Sequence, residues 1–295
     1  MNGRLPLAVA MLLLGAGPAL AHGGAHEPIG WEFDPWVATP LLLSGLLYAA
    51  GTTALWRRAG VGRGIHRWQV AAYTAGWLAL AGAVVSPLHE LAEKLFTAHM
   101  IEHEIVMAVA APLLALARPI GAFLWALPPG LRRGLGDAAR RPALRSAWRF
   151  VTTPLTATAL HGVSIWLWHI PALFDLAVQN LTVHRLQHLT FLLTALLFWW
   201  ALVRACQPGT AAAHLFITML HTGALGALMV LAPRVLYRVQ TADAPLWGLT
   251  PLDDQQLAGL VMWIPAGTVY AGAALAFLAL WIRRVGVREN AYALR

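Results

Sequence analysis

The chain has 295 residues, 59% of them hydrophobic and only 12% charged, with 21 Lys and Arg against 13 Asp and Glu, and its mean hydropathy is +0.62. Soluble domains carry about 25% charged residues, so this composition excludes an ordinary water-soluble enzyme, and it excludes disordered and collagen-like chains as well. The single cysteine, Cys206, rules out an intrachain disulfide framework and any Cys-x-x-Cys site.

The first element reads as a cleavable signal peptide over residues 1–21. Arg4 supplies a basic start, Leu7 to Leu14 an apolar core, and Ala19-Leu20-Ala21 a small-residue cleavage site. An uncleaved extra span is the alternative. A polar extracytoplasmic segment, 22–35, follows. Seven apolar stretches are then predicted to be helices, near 36–56, 68–87, 98–118, 152–172, 184–206, 212–232 and 256–282. Each approaches the roughly 20 residues that a span requires. Backbone polar groups in lipid leave helix as the economical choice, so the fold class is all-α. It is a polytopic membrane helical bundle of about seven transmembrane helices over 36–282, with a cytoplasmic tail at 283–295.

Charge tests the order of the spans. Arg57, Arg58, Arg63, Arg67, Arg118, Arg132, Arg133, Arg140, Arg141, Arg145, Arg149, Arg204, Arg283, Arg284, Arg288 and Arg295 fall on the predicted inner side; Lys94, Arg185, Arg234 and Arg238 fall outside. That asymmetry places the N-terminus outside and the C-terminus in the cytoplasm, in a plasma membrane. The basic loop 119–151 reads first as a topology signal, with phospholipid or partner docking as the alternative. Arginines scattered between spans give no nucleic-acid face.

The twelve histidines carry the chemical information. Thr97-x-His99-x-Ile101-Glu102-His103 and Thr182-x-His184-x-Leu186-Gln187-His188 share one frame, each at the outer start of a span. Four residues make one helical turn, a rise of about 6 Å, so each pair projects from one face. Met107 continues the first face, His169 closes the fourth predicted span, and Met262 lies two turns beyond Asp254. Imidazole suits several transition metals, and a thioether neighbour favours Cu(I). The expected metal ligands are therefore His99, His103, His184 and His188, with Met107, His169 or Met262 as additions. Asp254 either caps a helix start or orients a ligand imidazole. Glu102 and Glu104 suit the positive end of a helix dipole. His161 and His221 divide between interhelical hydrogen bonds and ligation. Haem is the rival cofactor, because paired histidines on facing helices also ligate haem. Pro112, Pro171 and Pro265 are expected to bend or end spans.

Three segments then resemble the CtaG family of membrane-integral cytochrome c oxidase assembly factors. They are His99-Met100-Ile101-Glu102-His103 with Ala111-Pro112-Leu113-Leu114 and Arg118-Pro119; His184 to His188 with Phe198-Trp199-Trp200; and Asp254-Gln255-Gln256-Leu257-Ala258-Gly259-Leu260-Val261-Met262-Trp263-Ile264-Pro265-Ala266-Gly267. Glu104 departs from the pattern, standing where an apolar residue is expected. The resemblance implies a multi-pass protein that helps build a haem–copper oxidase through copper delivery. Its partners would be an oxidase subunit, an extracytoplasmic copper donor and the lipid bilayer, with no enzymatic step. A membrane haem-binding oxidoreductase, a copper-tolerance permease and a structural scaffold are the alternatives.

Overall fold

The structure is a computed structural model that describes residues 29–293, with side chains described to residue 285; the expected signal peptide and residues 22–28 lie outside the described residues. The helices are α1 (Pro35–Ala59), α2 (Arg67–Val84), α3 (Pro87–Lys94) and α4 (Phe96–Ala117). They continue with α5 (Pro119–Ala126), α6 (Pro129–Arg140), α7 (Pro142–Val151) and α8 (Pro154–Trp168). The last four are α9 (Pro171–Gln179), α10 (Leu181–Arg204), α11 (Pro208–Leu231) and α12 (Pro251–Ala293). No strand occurs among the described residues. Most of these helices open on proline, whose missing N–H costs nothing in a first turn where that donor has no intrahelical partner.

Among the described residues, five helices are long and apolar enough to cross a membrane: α1, α4, α10, α11 and the Pro251–Val285 part of α12. The bent pair α2–α3, with 44° between its parts, passes the same test when its two helices are taken together, which brings the number to six if they form one span. The expected fourth span differs. It is broken into α8, 15 residues long, and α9, because the residue before a proline is pushed out of the helical region. Ile170 accordingly sits at φ −66°, ψ 122° ahead of Pro171. The basic loop is itself folded as α5 to α7, and α6 and α7 expose Leu131, Leu135, Leu144, Trp148 and Phe150 beside their arginines, the composition of helices that lie along an interface.

Large apolar side chains such as Leu46, Leu155, Val163, Leu228 and Leu275 face outward, while His99, Glu102, His103, His161, Gln187, Asp254 and Gln255 are buried. That inversion suits a lipid surround, where ionisable groups turn to the bundle interior. A close seam joins α11 to α12: a Cβ at Gly226 would stand 2.7 Å from the Gly259 carbonyl oxygen, and one at Gly259 equally close to that of Gly226. Small residues at such a crossing let two backbones touch. α4 is irregular, with residues Ile105–Ala110 forming a π turn. Pro112, one turn on, cannot donate to the Ala108 carbonyl, and the widened turn frees the Met107 carbonyl, which accepts from Trp199 Nε1 at 2.9 Å.

Candidate metal centre

The first turns of α4 and α10 lie together at one end of the bundle, and α3 folds over them. α10 starts on Asn180, whose side chain accepts from Thr182 N and Val183 N. α4 is capped from another helix. The buried Asp254 carboxylate of α12 accepts from Phe96 N at 2.8 Å, Thr97 N at 2.9 Å and Thr97 Oγ1 at 2.7 Å. Both starts are thereby held, and a histidine pair follows within each first two turns.

Within each pair the rings lie side by side, edge-to-face with centroids 4.3 Å apart for His99 and His103, and tilted at 4.4 Å for His184 and His188. Between helices, His103 and His188 are 4.9 Å apart by centroid, His99 and His184 5.6 Å, and His99 and His188 5.9 Å. One ring nitrogen from each of His99, His103 and His188 falls within 4.8 Å of the others. The rings are walled by aromatics: Phe174 lies 5.1 Å from His99, and Phe191 4.7 Å from His103.

The hydrogen bonds decide which nitrogen is free. His99 Nδ1 faces the Ala92 carbonyl at 3.3 Å, and His169 Nδ1 the Ile165 carbonyl at 2.7 Å. A carbonyl can only accept, so both rings carry their proton on Nδ1 and leave the Nε2 lone pair open. His99 Nε2, His169 Nε2 and His184 Nε2 are buried without a partner, as is His103 Nδ1. His188 Nδ1 lies 3.6 Å from Glu102 Oε1, and its Nε2 faces His103 Nε2 at 3.4 Å. Two nitrogens bound to one ion at about 2.0–2.1 Å, at a tetrahedral or trigonal angle, stand roughly 3.3–3.6 Å apart. The 3.4 Å between His103 and His188 falls in that range, and the orphaned nitrogens could accept a cation.

The other predicted residues are placed differently. His169, at the end of α8, packs on Phe191 with centroids 6.2 Å apart, on the same ring as His103. Met107 and Met262 are buried in the core beneath. Met107 lies within the π turn Ile105–Ala110, whose turn holds about one more residue than an α turn. Asp254 touches backbone amides of α4 and not an imidazole ring, so the capping alternative applies, across helices. His161 Nδ1 meets Thr194 Oγ1 at 3.2 Å, and Trp166 Nε1 donates to His221 Nδ1 at 3.3 Å: hydrogen bonds between helices.

Sequence reasoning missed three contributors. His89 of α3 bonds Glu102 Oε1 through Nδ1 at 2.8 Å, so Glu102 serves two imidazoles and not only the helix dipole. Gln240, in the connection between α11 and α12, donates through Nε2 to the Ala92 carbonyl at 2.7 Å. Gln255 anchors the same connection, accepting from Leu236 N at 2.6 Å and donating to the Met229 and Arg234 carbonyls at 3.2 and 3.3 Å. Only the Asp254-Gln255-Gln256 run carried a signal for any of this.

Residues 46–284 match the family described as cytochrome c oxidase caa3 assembly factor (Caa3_CtaG). Uncharacterized proteins of Mycobacterium bovis and Mycobacterium tuberculosis are each 28% identical over 289 residues, and one of Mycobacterium leprae is 27% identical over 285. The alignments take in 89% of this chain but span only 41% of the length of those relatives. No solved structure matches the chain.

Proposed function

The chain belongs to the family of cytochrome c oxidase caa3 assembly factors, and from that premise we propose that it holds Cu(I) as cargo at His99, His103 and His188 and passes it to an oxidase subunit. The observation that carries the reading is the trio of imidazole nitrogens within 4.8 Å, drawn from two helices, with His99 and His103 buried and His188 part-buried. Three neutral imidazoles suit Cu(I), and His184, His169 or a thioether from Met107 or Met262 would complete or exchange with them. Transfer is by ligand replacement, with no bond of a substrate made or broken, so the protein acts as a carrier and not an enzyme. The site opens on the extracytoplasmic side of the plasma membrane, with the N-terminus outside and the α8–α9 break as a shortened seventh crossing. Copper arrives there from an extracytoplasmic donor.

A haem is a poorer occupant. Its plane would have to separate rings whose centroids lie 4.3 to 5.9 Å apart, packed against Phe174 and Phe191. The test is His103→Ala with His188→Ala in the full chain. The double variant is expected to insert normally, to lose bound Cu(I) and to leave the oxidase short of copper. Wild-type copper content in the variant, with full oxidase activity in the same cells, would overturn the assignment.

A further inference from the structure

We propose that Glu32, His89 and Glu93 form a second metal site at the rim of the bundle, taking a divalent first-row transition-metal ion, Cu(II) foremost. A carboxylate oxygen from each glutamate and a ring nitrogen of His89 lie within 4.8 Å of one another. The donor set is one imidazole and two carboxylates, harder than the all-imidazole set below it. Such a set favours a divalent ion that retains water, and the Irving–Williams order puts Cu(II) first among these.

Acidic side chains near a surface do not by themselves make a site, and three further observations build this one. First, His89 is oriented. Its Nδ1 bonds the fully buried Glu102 carboxylate at 2.8 Å, with His89 itself 12% exposed. A carboxylate on one ring nitrogen fixes the tautomer and presents the other nitrogen as the ligand, the arrangement found behind metal-binding histidines. Second, the strand of chain that brings Glu32 is tied on both sides of it. Gly30 N donates to Glu90, and Asp34 pairs with Arg185 Nε of α10 at 2.6 Å. Third, the neighbouring cations are already engaged: Lys94 holds Glu90 at 2.9 Å and Arg185 holds Asp34. Among the described residues no Lys or Arg pairs with Glu32 or Glu93, so two carboxylates are gathered with no fixed cation between them.

Glu102 also links the two sets. The same Oε1 lies 2.8 Å from His89 Nδ1 and 3.6 Å from His188 Nδ1. The rim ligand and the inner ligand are thus backed by one buried oxygen. The rim site stands without the Cu(I) reading, because none of its three ligands belongs to the inner trio.

The full-length protein is titrated with Cu(II) and followed by electron paramagnetic resonance, in parallel with Glu32→Gln/Glu93→Gln, His89→Ala and His103→Ala/His188→Ala. The parent is expected to bind one equivalent of Cu(II) more than the glutamate double variant. His89→Ala is expected to lose one imidazole-nitrogen coupling from that signal, and the inner double variant to keep the equivalent. Equal Cu(II) binding by the parent and Glu32→Gln/Glu93→Gln overturns the proposal. So does loss of the equivalent in His103→Ala/His188→Ala, which would assign the divalent ion to the inner cluster, or an unchanged nitrogen coupling in His89→Ala.

Discussion

Asp254→Ala removes a side chain from α12 and takes the cap from a different helix, α4. The carboxylate accepts from Phe96 N, Thr97 N and Thr97 Oγ1 at 2.7 to 2.9 Å and is 0% exposed. The Thr97 hydroxyl keeps a partner in the Asp254 carbonyl at 3.1 Å, so two backbone donors are left without one. A buried donor with no acceptor costs about 1–3 kcal/mol, which puts the loss at roughly 3 kcal/mol and the fall in Tm at roughly 6–10 °C for a chain of this size. Asp254→Asn keeps one acceptor oxygen and sets an NH2 against the other amide, so about half the loss is expected. Thermal unfolding of the purified protein in detergent reads both. His99 lies one turn beyond the cap, and Cu(I) affinity is expected to fall in the same order. A Tm for Asp254→Ala within about 1 °C of the parent would refute the reasoning.

Gly259→Ala places a methyl group 2.7 Å from the Gly226 carbonyl and is expected to cost about 1–3 kcal/mol as α11 and α12 are forced apart; a Tm equal to that of the parent would count against the close seam. Trp199→Phe leaves the Met107 carbonyl of the π turn without its donor and is expected to cost about 1 kcal/mol, again read by thermal unfolding. Gln255→Glu keeps the acceptor for Leu236 N but turns an oxygen toward the Met229 and Arg234 carbonyls. Faster proteolysis between α11 and α12 is the expected result, and an unchanged digestion pattern the contrary one.

The paired histidines were legible because the repeated frame and the one-turn spacing are local properties of helices, and α4 and α10 keep that spacing through their first turns. What local periodicity carries, sequence reading recovers. The π turn over Ile105–Ala110, which takes in Met107, lay outside that rule, because regular spacing carries no sign of a widened turn. The fourth span was overextended for a similar reason: hydropathy runs smoothly through Ile170 and Pro171, while the backbone does not. Asp254 was recognised as a capping type, yet which helix it caps depends on contacts 158 positions away in sequence. His89 and Glu102 were visible as residues and silent as a pair, because only the fold of α3 over α4 brings them together.

The Ala92 carbonyl receives hydrogen bonds from both His99 Nδ1 and Gln240 Nε2. One oxygen of a short helix therefore ties the tilt of a ligand ring to the connection between α11 and α12. Grafting the 232–250 connection from a relative would disturb the imidazole unless the graft brought an equivalent amide to the same point, so α3 and that connection must be exchanged as a unit.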